Sequence, residues 1–470
     1  MHTIYMGAGF VGACSAAVTA DSGHQVLAFD IDSERIARLS SLDAERIESC
    51  IHEQGLAELI IKHQSRLAFS DNPAVLAGWI EKADVIFICL PTPEQTDGAV
   101  DLSYFMRGME DIGRLLAKRS AGKQERRVLI VNKSTVPIDA IDISRRILHP
   151  LGVKNFGIAS NPEFLVEGKA IDGSIHPERV IVGAESAQDF ETMRSLYQRF
   201  IDSSTVQYLE MNPYEAAAVK LLANAALFAR LSFTFSAVGR ICEIFPFLNY
   251  ENVRRGITGD SRIGRWGFYN SLFAGGSCLI KDTEALAHQM EARGADADFL
   301  RSALAANRYQ AEHFYARAAN EAGYAFSGKR VAVLGLAFKQ DTNDMRHSGA
   351  SLIIQRLLQD GAREIRAFDP AAQETAQAVF PAAEHPRITY HNSAEEAITG
   401  SEALFICTDW PQFRALGEYI AEFCRVPYLV MDGRRMLERQ YHTLAALGMQ
   451  VIAVGSPIFG AQDRREDHNG

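Results

Sequence analysis

Residues 3–6 read as a short apolar strand, and Gly7-Ala8-Gly9-Phe10-Val11-Gly12 follows before a small-residue helix through Ala20. This is GxGxxG in the strand–turn–helix setting it requires. The first glycine permits the tight turn, the second lets the backbone approach a pyrophosphate, and the third lets helix and strand pack closely. The next strand, Gln25 to Phe29, ends in Asp30, about twenty residues on. A carboxylate there hydrogen-bonds a ribose 2′-hydroxyl and repels a 2′-phosphate, so the pattern predicts NAD rather than NADP. A merely structural tight turn is the alternative, and it leaves Asp30 unexplained.

The rhythm that follows belongs to a parallel sheet covered on both faces, with apolar strands near Val85–Leu90, Val128–Val131, Phe156–Ala159 and Val180–Val182. Ligands bind in the loops at the C-terminal ends of such strands. Leu90-Pro91-Thr92-Pro93 and Lys133-Ser134-Thr135-Val136-Pro137 hold that position, so the hydroxyls of Thr92, Ser134 and Thr135 are candidate cofactor contacts. In Ser160-Asn161-Pro162-Glu163-Phe164-Leu165-Val166-Glu167-Gly168, Pro162 fits the first position of a helix capped by Asn161. That would place Glu163 and Glu167 on one face, either as a solvated acidic surface or as a pair that takes up and returns protons.

Asn212-Pro213 opens one long helix running to about Ile244, apolar nearly all round, as expected of a helix buried between domains or subunits. Lys220 and Asn224 share a face of it, and a lysine in such a setting needs a partner or a task. From Lys329 a second nucleotide-fold pattern begins: strand Arg330–Leu334, Gly335, a helix from about Ser348 to Gln359 stopped by Gly361, and strand Glu364–Phe368. Strands near Ala403–Cys407, Tyr428–Met431 and Val451–Val454 continue it, without a full GxGxxG. Lys339, Arg346, Arg434 and Arg435 follow its strands, where they can hold phosphate groups. The expected architecture is α/β, two Rossmann-like doubly wound domains joined by a long central helix. The expected boundaries are 1–205, 206–325 and 326–460, with a charged, disordered tail at 461–470.

Composition narrows the function classes. With 47% hydrophobic and 23% charged residues in 470, the chain is an ordinary globular one. Its net charge of -10 provides no basic field for nucleic acid or an anionic membrane. Seven scattered cysteines without CxxC spacing argue against a disulfide framework or a metal site. They fit a reducing compartment. The chain enters a strand at once, with no signal-peptide pattern and no uninterrupted apolar run of about 18 residues, so a cytoplasmic protein is expected.

The stretch Ala274-Gly275-Gly276-Ser277-Cys278-Leu279-Ile280-Lys281-Asp282 places a thiol, an ammonium and a carboxylate just beyond a glycine turn. Cys278 and Asp282 share a face if a helix starts here, and a thiol near a helix N-terminus beside Lys281 favours the reactive thiolate. A small buried cysteine is the bland alternative. Downstream of a nicotinamide fold, such a cysteine suggests covalent dehydrogenase chemistry: the thiol adds to an aldehyde, a hydride leaves, and the resulting thioester is hydrolysed. Lys220 and Asn224 together are suited to stabilise the oxyanion.

Asn161–Gly168, the Lys220/Asn224 helix, Gly275–Asp282 and Gly335-Leu-Ala-Phe-Lys-Gln-Asp-Thr-Asn-Asp-Met-Arg346 occur in an order that resembles the UDP-glucose/GDP-mannose dehydrogenase family over nearly the whole chain. Thr258-Gly-Asp-Ser-Arg-Ile-Gly264 is similar to its UDP-glucose branch. The resemblance implies two successive NAD-dependent oxidations of the C6 carbon of UDP-glucose, giving UDP-glucuronate. It makes Cys278 the nucleophile, Lys220 and Asn224 the oxyanion donors, Asp282 the partner of thiol and water, and Glu163, Glu167 and Thr135 the proton-transfer and water-positioning groups. It places Gly7–Gly12, Asp30, Arg35, Thr92, Ser134, Thr135, Glu167, Lys281 and Arg346 on NAD. It places Glu163, Phe164, Leu165, Lys220, Asn224, Phe273, Gly275, Lys339 and Arg434 on the substrate. Arg262 would reach the substrate of a neighbouring subunit, implying at least a homodimer.

The chain departs from the family pattern at several points. Phe273-Ala274-Gly275-Gly276 stands for Gly-aromatic-Gly-Gly, Tyr269 for a frequent lysine, and Glu53-Gln54-Gly55-Leu56 for Glu-Pro-Gly-Leu. Phe245-Pro-Phe-Leu-Asn249 stands for a glycine turn after the long helix. None removes a catalytic group, but the first two bear on sugar preference. The alternatives are the same chemistry on UDP-N-acetylmannosamine or GDP-mannose, and a nucleotide-binding regulatory protein without catalysis.

Overall fold

The computed structural model describes residues 1–95, 97–120, 126–203 and 205–460. The chain divides into two compact units, Met1–Asn224 with Glu284–Asp296, and Ala225–Thr283 with Ala297–Gly470. The tail at 461–470, expected to be disordered, lies outside the described residues.

The first unit is built on an eight-stranded sheet: β1 (His2–Met6), β2 (Gln25–Phe29), β3 (Leu67–Ser70), β4 (Val85–Ile88), β5 (Val128–Asn132), β6 (Phe156–Ser160), β7 (Arg179–Gly183) and β8 (Gln207–Met211), in the order β3-β2-β1-β4-β5-β6-β7-β8. Alternate strand residues feed cores on opposite faces. Tyr5, Val26, Ala28 and Phe87 pack with the small-residue helix Phe10–Asp21, while Ile4, Leu27, Ile86, Ile88 and Ile130 pack on the other side. Burial on both faces explains why the central strands read as near-continuous apolar runs.

The sheet is not parallel throughout, as the β/α rhythm led us to expect. β6 and β7 meet antiparallel through the single pair Ser160 and Gly183, and β8 then runs parallel to β7. The two C-terminal strand ends therefore converge. A Cβ at Gly183 would lie 2.6 Å from Pro213 Cα and 2.7 Å from Ala216 Cβ, so only glycine lets the helix Pro213–Phe233 start against this strand end.

That helix runs on through a π-helical stretch, Thr234–Val238, into Gly239–Ile244. Its all-round apolarity is that of a helix buried between domains or subunits; within this single chain Leu222, Phe233, Ile241 and Ile244 are exposed. By length and composition alone Pro213–Ile244 would span a membrane, although 44% of its most apolar window is buried inside the chain. Lys220 and Arg230 divide it, so it contains no uninterrupted apolar run of about 18 residues.

The second unit carries a six-stranded, wholly parallel sheet: β9 (Arg330–Leu334), β10 (Glu364–Phe368), β11 (Ile388–Tyr390), β12 (Ala403–Ile406), β13 (Leu429–Asp432) and β14 (Gln450–Ala453), in the order β11-β10-β9-β12-β13-β14. This is the same 3-2-1-4-5-6 order as in the first six strands of the first unit, the doubly wound arrangement that binds ligands at the C-terminal strand ends. The helix Gly349–Gln359 begins at Ser348, whose hydroxyl accepts from Ser351 N–H.

Candidate active site

In the first unit β1 pairs with β2 so that Met6 lies beside Phe29, setting Gly7 next to Asp30. Gly7 has a φ of +100°, and a Cβ there would fall 2.5 Å from the Cys89 carbonyl oxygen. A Cβ on Gly12 would fall 1.9 Å from the Gly7 carbonyl oxygen, so both glycines are required by packing. Gly9 differs. It precedes the helix of Phe10 and Val11, has no side-chain cap, and a Cβ there would meet nothing within 4 Å. The turn is thus tight on the protein side and open at the helix N-terminus, a cradle that fits a dinucleotide pyrophosphate. Asp30 accepts from Ala8 N–H (2.7 Å), Asp32 N–H (3.0 Å) and Arg35 (3.2 Å). Thr92 donates to the Thr135 carbonyl (2.8 Å) and Ser134 to that of Leu90 (2.7 Å), stapling the loops after β4 and β5 together.

The loop after β6 departs from expectation. Residues 161–166 form no helix, and the helix Ala170–Ile175 starts beyond them. Asn161 cannot cap a helix because its side-chain oxygen accepts from Tyr197 (2.6 Å) and Lys133 (3.2 Å), while its amide donates to the Ile181 carbonyl (2.8 Å). At the other end the buried Glu53 carboxylate accepts from Gly168 N–H (2.8 Å) and Ala170 N–H (2.7 Å). Clamped at both ends, the loop holds Glu163 against Lys220, whose Nζ donates to the Glu163 carbonyl (2.7 Å) and to Oε1 (2.9 Å). Glu163 Oε2 also accepts from Leu165 N–H (2.6 Å). Burial pushes the Glu163 carboxyl up, but the Lys220 charge and hydrogen bond, the Leu165 N–H and Lys133 outweigh it and hold it below the usual carboxylate value. Phe164 carries Lys220 5.4 Å and Arg179 4.3 Å from its ring centre. Asn224 is buried on the same helix, and Glu167 lies half-buried in the turn before Gly168.

In the second unit the helix Ser277–Glu291 begins one residue before Cys278, so Cys278 and Asp282 do stand one helical turn apart. Lys281 Nζ donates to Asp282 Oδ1 (2.7 Å). Of the seven cysteines only Cys278 is exposed. Burial raises the thiols of Cys14, Cys50, Cys242 and Cys424, and pushes Cys89 and Cys407 up to about 12. The turn leading to Cys278 is held by Asn307, whose side chain accepts from Ala274 N–H (2.8 Å) and donates to the Ala274 carbonyl (3.0 Å). A Cβ on Gly275 would lie 2.8 Å from the His347 carbonyl oxygen, and one on Gly276 2.9 Å from the Phe338 ring. The glycines thus admit the loop bearing Lys339, whose Nζ lies 5.6 Å from the Phe338 ring centre.

Arg434 donates to the carbonyls of Phe338 (2.6 Å), Cys407 (2.9 Å) and Asn270 (3.3 Å), tying three loops together. Arg435 is buried, donating to the Val454 carbonyl (2.9 Å), and so braces the fold rather than facing a phosphate. Arg262 and Arg346 are exposed, each paired with an aspartate two residues earlier, Asp260 and Asp344. Phe273 is half-buried against the second core.

Asn307 is a single polar residue with no pattern to mark it, and Glu53 stands out in the sequence only through the neighbouring Gln54. Lys133 and Asn161 lie inside the motifs noted above, but their mutual hydrogen bond is not foreshadowed by either.

The chain matches the UDP-glucose/GDP-mannose dehydrogenase family in its NAD binding domain over residues 1–201, its central domain over 214–309 and its UDP binding domain over 332–439. It is 36% identical to the UDP-glucose 6-dehydrogenase of Pseudomonas aeruginosa over 468 residues, covering 98% of each chain. Among solved structures it is similar to a UDP-glucose dehydrogenase of the hyperthermophilic archaeon Pyrobaculum islandicum (28% identity, TM-score 0.84, 97% and 98% covered). It is also similar to a UDP-D-ManNAc dehydrogenase of Pyrococcus horikoshii (25% identity, TM-score 0.76, 93% and 96% covered). The glycine cradle beside Asp30, the doubly wound second sheet and these full-length likenesses agree: the chain is an NAD-dependent oxidoreductase of nucleotide sugars and belongs to the UDP-glucose/GDP-mannose dehydrogenase family.

Proposed function

We propose that the protein oxidises UDP-glucose to UDP-glucuronate in two NAD-dependent steps through a covalent intermediate on Cys278. NAD, held by Gly7–Gly12, Asp30 and Arg35, supplies the hydride acceptor for both steps. Residues 1–205 carry this site, 206–325 the nucleophile loop and dimer-forming helix, and 326–460 the UDP-sugar site, in a cytoplasmic enzyme that is at least a homodimer. The Cys278 thiolate adds to the C6 aldehyde to give a thiohemiacetal, whose oxidation leaves a thioester for water to hydrolyse. Lys220 and Asn224 donate to the developing oxyanion, Asp282 partners the thiol and the hydrolytic water, and Glu163, Glu167 and Thr135 move protons and orient water. Phe164, Leu165, Phe273, Gly275, Lys339 and Arg434 hold the nucleotide sugar, Arg262 reaches a neighbouring subunit's substrate, and Thr92, Ser134, Lys281 and Arg346 complete the cofactor site.

The observation that carries this reading is Cys278 itself. It is the one exposed cysteine, in the first turn of a helix beside the Lys281–Asp282 pair, while burial disarms the other six thiols. The test is stoichiometry: two NADH per UDP-glucose with UDP-glucuronate formed, and loss of at least about 10³-fold in UDP-glucuronate production in Cys278→Ala. One NADH per sugar from the wild type would overturn it.

A second reading keeps the chemistry and changes the sugar. It is favoured by Ala274, which occupies the family's aromatic position and is buried under Asn307, and by the likeness to the UDP-D-ManNAc enzyme. Comparative turnover on UDP-glucose, UDP-N-acetylmannosamine and GDP-mannose decides between them.

A further inference from the structure

Asn132 is the last residue of β5, 3% exposed, and neither atom of its side-chain amide has a hydrogen-bond partner among the described residues. A buried donor and a buried acceptor left unsatisfied are each destabilising, and native chains keep such groups where a ligand or ordered water meets them. Asn132 lines a cleft of the first unit with Ser134, Thr135, Ser160 and Lys220. The cleft has room for about one water molecule, and polar groups line it on several sides.

The second sheet supplies an internal control. Its β13 occupies the place in strand order that β5 holds in the first, and it too ends in a buried polar residue, Asp432. Asp432 is fully engaged, accepting from Leu437 N–H (2.8 Å), Tyr441 O–H (2.8 Å), Arg434 N–H (3.1 Å) and Met436 N–H (3.1 Å). The fold therefore can satisfy a polar side chain at this strand end, and at Asn132 it does not.

We infer that Asn132 is a water-positioning residue for the reaction: its amide, which both donates and accepts, holds a water molecule in the Thr135 cleft for hydrolysis of the thioester. The inference rests on the proposed covalent route. In the step served, the water oxygen bonds to the acyl carbon as the carbon–sulfur bond breaks. The sulfur leaves with the electron pair and takes one proton, the other is released with the carboxylate product, and nothing is oxidised or reduced.

The test uses the full chain. Asn132→Leu is close in volume and removes both unsatisfied atoms, so the ligand-free protein should melt about 2–4 °C higher. Its first NADH per site should form at the wild-type rate, while the steady state slows about 10–100-fold and an acyl adduct accumulates on Cys278 by mass spectrometry. Asn132→Ser, whose hydroxyl donates and accepts, should restore the steady-state rate to within about fivefold. A lower melting temperature with unchanged turnover in Asn132→Leu would make Asn132 merely structural and overturn the inference. A slower first NADH with a raised KM for UDP-glucose would place the amide on the sugar, and overturn it equally. If Asn132→Leu does not fold, an Asn132→Ser variant that folds yet releases no acid would also overturn it. Failure of the wild type to form a second NADH would instead refute the covalent route itself.

Discussion

The two sheets of this protein use one strand order for opposite ends. In each, a glycine at positive φ follows the first strand and donates its N–H to the last residue of the second, Gly7 to Phe29 and Gly335 to Phe368, both at 2.8 Å. In each, an aspartate follows that second strand and accepts from the first backbone N–H after the glycine: Asp30 from Ala8 (2.7 Å), Asp369 from Leu336 (2.6 Å). There the likeness stops. The Asp30 side chain is 11% exposed beside an open glycine cradle. Asp369 is 1% exposed and also accepts from Ala337, Ala371 and Ala372 N–H and from the Trp410 indole. Gly335 is as tight as Gly7, a Cβ there falling 2.4 Å from Thr408 Cβ, but the place of the open Gly9 is taken by the buried Ala337. Asp369 is spent on the fold with five donors, whereas Asp30 carries three and lies beside the open turn at Gly9. The shared fold alone therefore does not tell how an aspartate at this strand end is used; the donors packed around it do.

The largest effect that could break this contrast lies at Asp369. Asp369→Ala strands five donors, and we expect a loss of about 3–5 kcal/mol in urea unfolding, with NAD affinity of the folded protein unchanged. Next, Asp30→Ala should raise the Kd for NAD about tenfold, or about 1.4 kcal/mol, narrow the preference over NADP, and destabilise the fold by only about 1 kcal/mol. Titration of cofactor fluorescence and parallel unfolding curves would measure both. Equal destabilisation by the two substitutions would erase the distinction.

The smallest effect is one of pH. The Glu163 carboxyl is held below its usual value, so its share of stability is complete above the unfolded-state pKa of about 4.3 and is lost as pH falls through the lower folded value. Burial raises the Asp432 carboxyl against four hydrogen bonds that lower it. Its contribution has the opposite sign, and acid relieves it as pH falls through its raised value toward about 3.9. Hydrogen exchange followed peptide by peptide between about pH 5 and pH 3 should show protection falling in residues 161–168 while residues 432–441 keep or gain it, and Glu163→Gln should abolish the first change.

What could be read from the sequence follows burial. The central strands were visible because both faces are covered and the runs are apolar. β3, β8 and β11 were not, because each lies at a sheet edge and its residues are largely exposed or half-buried. The glycine turn, the long helix and the first turn at Cys278 were legible because spacing alone specifies them. The helix expected at Pro162 failed for a reason no local pattern contains: Asn161 is engaged by Lys133 and Tyr197 from other elements. Asn132 was equally invisible, since whether a side chain finds partners is decided by elements remote in the sequence.

Gly183 bears on how the ion pair of Lys220 and Glu163 is tuned. The convergence of β6 and β7 at Ser160 and Gly183 seats the first turn of the long helix on bare backbone, and Lys220 rides about 10 Å further along that axis. The helix behaves as a lever with its fulcrum at a missing side chain. A single methyl group at Gly183 would tilt it and shift the ammonium at its far arm, although no polar atom would have been touched. The geometry of this pair thus depends on a side chain that is absent at Gly183.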